Sequence, residues 1–144
     1  MRTYILTEYS ETARERIDTL LHMLSPKAPE VNEARLKELL ENKCFKLFVA
    51  EAGNGEMAGM LTLTGCPVLS RTKWWIEDVI VDDRFRGQGA GRALVRAAVT
   101  HVRAQEKQPT LYLTSNPTRT PARALYRSEG FEEYETGVFR LPKD

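Results

Sequence analysis

Between Arg84 and Leu94 the chain reads "RFRGQGAGRAL", three glycines within five residues, with Arg84, Arg86 and Arg92 around them. Glycine at a helix start is costly, because it loses the most conformational entropy and leaves backbone bare. Bare backbone is useful where an anion must come close. A helix N-terminus presents unpaired N–H groups and a partial positive charge, an arrangement that receives phosphate. Nearby arginines add charge-assisted donors. Two phosphate loops fail here on spacing. The P-loop needs Lys followed by Ser or Thr after its last glycine, whereas Arg92 and Ala93 follow Gly91. The dinucleotide fingerprint started by Gly87 and Gly89 needs glycine at position 92, which is Arg92. The stretch reads as a phosphate-binding turn of another kind.

The elements around it must hold it in place. "TYILTEY" alternates as an opening strand, and Ser10 caps a helix with apolar residues at Ala13, Ile17, Leu20, Leu21 and Leu24. "SPKAP" ends that helix, and a shorter one follows from Asn32 through Leu36, Leu39 and Leu40. "FKLFVAEA" and "MAGMLTLT", joined by Gly53-Asn54-Gly55, predict a β-hairpin. "TGCPVLSRTK" reads as a loop, and "WWIEDVIVDD" as a strand apolar enough for a sheet centre. A helix follows the glycines with Leu94, Ala97, Ala98 and His101 in period, then "TLYLTS" as a strand. Thr120 as N-cap and Pro121 open the next helix, Gly130 ends it, and "FEEYETGVFRL" reads as closing strand. The fold class expected is α/β: a mixed, mostly antiparallel central sheet flanked by helices on both faces, one domain over residues 1–144.

Composition narrows the function. The 144 residues are 42% hydrophobic and 28% charged with a net charge of +1, which fits a globular chain and gives no broad nucleic-acid surface. No apolar run has the length of a membrane span, and the N-terminus lacks the pattern of a signal peptide. Cys44 and Cys66 form no disulfide framework and fit a cytoplasmic location. His22 and His101 carry no partner pattern, and no metal-ligand spacing occurs.

"RGQGAG" matches the Arg/Gln-x-x-Gly-x-Gly/Ala signature of the GNAT superfamily of N-acetyltransferases, as Arg86-x-x-Gly89-x-Gly91. "IEDVIV" resembles the strand before that loop, particularly in small-amine acetyltransferases. "ALYRSEGF" resembles the superfamily's Tyr-x-x-x-Gly-Phe segment, and "LTSNPTR" is also similar. Arg119 stands where the superfamily often has asparagine, three residues before Ala122, with Asn116 as a nearby substitute.

The resemblance implies transfer of an acetyl group from acetyl-CoA to a primary amine of a small molecule or peptide, without a metal. The alternative is a module of the same fold that holds CoA or another phosphorylated ligand without turnover. The pyrophosphate would sit on backbone of Arg86, Gly87, Gln88, Gly89, Ala90, Gly91 and Arg92. The pantetheine arm would pair like a strand with backbone of Val79, Ile80 and Val81, with Asn116 and Tyr126 as further contacts. Acyl transfer needs a base for the ammonium and an acid for the thiolate. Glu77 is the base expected, since ideal alternation puts it on the face of Val79 and Val81 and an apolar strand raises a carboxyl pKa. Tyr126 is the acid that the resemblance implies. Asp78 falls on the opposite face unless a bulge turns it, and could anchor a cationic acceptor. Trp74 and Trp75 face opposite sides, one toward core and one able to wall the acceptor pocket. The closing strand "ETGVFRL" would leave a sheet edge free, and dimers are frequent among proteins this chain resembles, so a homodimer is expected.

Overall fold

The computed structural model describes residues 1–143. Five strands form one sheet in the order β1 (Arg2–Leu6), β2 (Phe45–Glu51), β3 (Met57–Val68), β4 (Arg71–Val81), β5 (Thr110–Leu113). The first four run antiparallel to their neighbours, and β4–β5 is parallel. Helices α1 (Glu11–Leu24) and α2 (Glu33–Glu41) lie between β1 and β2 in sequence, while α3 (Ala90–Gln105) and α4 (Thr120–Ser128) flank β5.

Period-two alternation divides the sheet into two cores. Phe48, Ala50, Leu61, Leu63 and Ile76 pack with Leu94, Val95, Ala98 and Val102 of α3 and with Tyr126 of α4. Leu47, Val49, Met60 and Ile80, from the other face, pack with Ile17, Leu20 and Leu36 of α1 and α2. Helices therefore cover both faces of a mostly antiparallel sheet.

Local chemistry sets the boundaries. The Ser10 hydroxyl accepts from the Ala13 N–H at 3.1 Å, and the Asn32 side chain accepts from the Arg35 N–H at 2.8 Å. The β2–β3 turn runs through Gly55 at φ +85°. At the end of α4, Gly130 takes φ +94° and the Phe131 N–H donates to the Tyr126 carbonyl at 3.0 Å. One salt-bridged cluster ties α1 to the sheet: Asp82 is buried, Arg16 reaches it at 2.6 Å, and Arg84 reaches it at 3.0 Å.

Three expectations change. "TGCPVLSRTK" is not a loop, because β3 runs on to Val68 and β4 starts at Arg71, so Cys66 lies on a strand opposite Lys73. The cap of α4 is Arg119, not Thr120, which is already helical. Residues 131–143 form no strand, so the free edges of the sheet are β1 and β5. A strand needs a partner ladder, and this segment has none among the described residues.

Candidate active site

The glycine–arginine loop leads into α3 as a helix without a side-chain cap. Gly89 occupies the N-cap position in the left-handed region at φ +81°, and no side chain accepts from the first turn. Gly87 is also left-handed, at φ +76°, and a Cβ on either residue would point into open space. Gly91 serves packing: a Cβ there would come within 3.2 Å of Leu125, so its absence lets α3 and α4 approach.

Beside this turn is a cavity of about 570 Å³. Val79, Ile80, Val81, Arg86, Gly87, Gly89, Ala90, Gly91, Arg92 and Tyr126 all line it. Gln88 and Asn116 do not; the Asn116 side-chain oxygen instead accepts from the Thr118 N–H and hydroxyl, at 3.0 and 2.8 Å. Phe85, Arg119, Pro121, Ala122 and Leu125 line it too, so Arg119, which stands where the superfamily often has asparagine, puts a cation on this wall. Arg86 is held by Asp83 at 2.8 Å, and Arg92 pairs with Glu129, whose carboxyl Arg96 and Arg92 hold below its ordinary value. Arg84 is not a loop donor: it is committed to Asp82 and Glu56.

A second cavity, of about 1000 Å³, opens between β4, β5, α4 and residues 131–138. Trp75, Tyr112 and Tyr134 form an aromatic wall, with ring centroids 4.9 Å apart for the first pair and 5.7 Å for the second. Trp75 lines this cavity, whereas Trp74 packs against the opposite core beside His101. Tyr126 lines both cavities and is buried, and burial raises its phenol pKa.

The strand between these features is irregular. Thr62 pairs with Glu77 and Met60 with Ile80, so two steps on β3 match three on β4. That extra residue is a β-bulge, and Asp78 within it takes φ +45°, the only non-glycine residue at positive φ among the described residues. The bulge overturns ideal alternation. Glu77 shares its face with Thr62 and Trp75, while Val79 and Val81 pack on the α3 core. It also turns Asp78, whose carboxylate accepts from the Thr62 hydroxyl at 2.9 Å. Glu77 and Asp78 are exposed and line neither cavity. Partial burial, then the neighbouring Asp78 charge, raises the Glu77 pKa. The role of Thr62 left no signal in the sequence, because the bulge forms only once β3 and β4 pair.

No helix of the described residues is long and apolar enough to cross a membrane. A comparison with curated proteins finds no match. Among solved structures, a provisionally assigned acetyltransferase of Agrobacterium tumefaciens str. C58 is 25% identical, with TM-score 0.83 over 99% of this chain and 100% of that one. An aminoglycoside acetyltransferase from an uncultured soil metagenomic sample shares the fold at TM-score 0.81 and 20% identity, over 99% and 96% of the two chains. Glucosamine-6-phosphate N-acetyltransferase from Arabidopsis thaliana does so at TM-score 0.77 and 19% identity, over 98% and 99%. Residues 10–131 match the profile of the Acetyltransferase (GNAT) family. With that match spanning the glycine loop, the bulged strand and Tyr126, the chain belongs to the GNAT acetyltransferase family.

Proposed function

We propose that this chain is an acetyl-CoA-dependent N-acetyltransferase acting on a primary amine of a small molecule or peptide. The observation that carries the reading is Tyr126, the common wall of two cavities with different chemistry. The smaller suits CoA: an uncapped α3 start and left-handed glycines give its pyrophosphate bare N–H groups, and Arg86, Arg92 and Arg119 add positive charge. The backbone of Val79, Ile80 and Val81 is available to a pantetheine arm as a strand partner. The aromatic wall of the larger cavity suits the body of an acceptor.

Acetyl-CoA supplies a thioester whose C–S bond breaks as the amine forms a C–N bond. Glu77 takes the proton released by the amine, directly or through water, and its raised pKa makes it a better base than an ordinary carboxylate. A backbone N–H at the bulge polarises the carbonyl oxygen. Tyr126, kept protonated by burial, gives its proton to the departing sulfur. Free Cys44 and Cys66 accord with a reducing cytoplasm.

Two measurements test the reading. CoA should raise the melting temperature by ligand linkage, and acetyl-CoA with a panel of primary amines should release free thiol. Stabilisation by CoA with no thiol release from any amine would leave the non-catalytic binding module as the better account. No stabilisation would remove both.

A further inference from the structure

Arg71, Lys73, Trp75 and Glu77 share one face of β4. Their ladder with Val68, Cys66, Thr64 and Thr62 of β3 runs without a break, so alternation holds over this stretch and fails only at the bulge beyond it. Strand rise puts Lys73 about 13 Å, and Arg71 about 20 Å, from Glu77 along the strand. Trp75 lies between them, beside Tyr112, its ladder partner on β5. Arg71, Lys73 and Trp75 all line the larger cavity, and Tyr126 lines it too.

The charges around this cavity are not all matched. Arg123 and Arg127 of α4 both pair with Glu133. Arg71 and Lys73 pair with no carboxylate among the described residues; Arg71 is exposed and Lys73 half-buried. Glu132 and Glu135 line the cavity from another wall and reach neither cation. Positive charge therefore stands free at a fixed distance from the proposed base. A diamine would set its second ammonium against Arg71 and Lys73, and a phosphate dianion would be repelled more strongly by Glu132 and Glu135. A single carboxylate, held by a guanidinium and an ammonium, is the charge that fits. We propose that the acceptor is an amino carboxylate whose amine lies at Glu77, whose apolar body crosses Trp75, and whose carboxylate ends on Lys73 and Arg71. This names the acceptor class of the proposed transferase, and it rests on that reading for its orientation.

Two acceptors of one chain length test it, ω-aminooctanoate and octylamine, which differ in the distal carboxylate. In thiol release from acetyl-CoA, kcat/KM should favour the amino acid about tenfold, the scale of a charge-assisted contact. γ-Aminobutyrate, too short to reach from Glu77 to Lys73, should gain nothing over butylamine. Arg71→Gln with Lys73→Gln should bring the ratio for the longer pair close to one, mainly through KM. Arg71→Glu with Lys73→Glu should favour diaminooctane over ω-aminooctanoate. Circular dichroism checks that both double variants fold. Calorimetric titration with the same ligands, CoA present, reads binding without turnover. Tighter binding of ω-aminooctanoate, lost in the glutamine variant, would uphold the site even if no amine released thiol, an outcome that removes only the transferase reading. Equal or weaker binding and use of ω-aminooctanoate would overturn the inference and leave transfer to other amines intact. So would a preference that survives both double variants.

Discussion

The Thr62 hydroxyl donates to the Asp78 carboxylate at 2.9 Å, clamping β3 to the one residue of β4 that stands at positive φ. Thr62 is 5% exposed, so its hydroxyl has few other partners. Non-glycine residues pay about 1–3 kcal/mol to hold such a backbone conformation and keep it only when surroundings impose it. The clamp, with the β3 ladder, is what imposes it. Without the bulge, Glu77 and the backbone of Val79 would have a different relation to the two cavities.

Thr62→Val keeps the shape of the side chain and removes the donor. It should lower the melting temperature by a few degrees, the loss of about 1 kcal/mol, and on the proposed reaction reduce kcat about tenfold or more, while CoA affinity changes little. Thr62→Ser should restore most of the rate. A Val variant with unchanged kcat would mean that the ladder alone holds the bulge.

The Asp78 charge helps to raise the Glu77 pKa, after burial. Asp78→Asn removes that charge and should lower it. Since Glu77 must be deprotonated to accept a proton, the acidic limb of the kcat/KM profile should move to lower pH in this variant. Glu77→Gln should depress turnover at neutral pH and abolish the limb. An acidic limb unmoved in both variants would place the base elsewhere.

Tyr126→Phe removes one hydroxyl and leaves the ring packed beside Phe131. Turnover should fall about 10²-fold, the usual scale for a lost acid–base group, with the melting temperature nearly unchanged. Full activity would show that the thiolate leaves unprotonated.

Gly89→Val places a β-branched side chain at φ +81°, with its Cβ aimed into the open space of the phosphate turn. The strain should cost about 1–2 kcal/mol, and stabilisation by CoA in a thermal-shift assay should disappear. A folded variant that CoA still stabilises would remove the turn from the binding site.

Asp82 is buried against Arg84 and Arg16, which hold its carboxyl far below the usual range. A carboxyl with a depressed folded-state pKa stabilises fully above its unfolded value, near 4, and that contribution is lost as pH falls below it. Asp82→Asn should therefore lower stability at neutral pH by about 3 kcal/mol, the scale for breaking a buried pair. Urea titrations at pH 7 and pH 3 should show the gap between variant and wild type narrowing in acid.

Local patterns determined much of this protein. Ser10 and Asn32 cap their helices within three residues, Gly55 turns its hairpin, and the loop from Arg86 to Gly91 starts α3, because each depends on neighbours in sequence. The resemblance carried by the same loop and by the segment from Ala124 to Phe131 agrees with the family match. What lay between distant residues was not legible. Alternation assigned Glu77 to the face of Val79, and only the pairing of β3 with β4 inserted the residue that reversed it. Arg84 looked like a loop donor until folding brought Glu56, 28 positions away, to it. Residues 131–143 have the composition of a strand, but a strand exists only with a partner, and none lies within the described chain. Tight turns and the caps of α1 and α2 are closed by bonds that span a few residues, so sequence specifies them. Register, bulges, ion-pair partners and sheet edges are closed by bonds between residues tens of positions apart, and only the tertiary structure decides those.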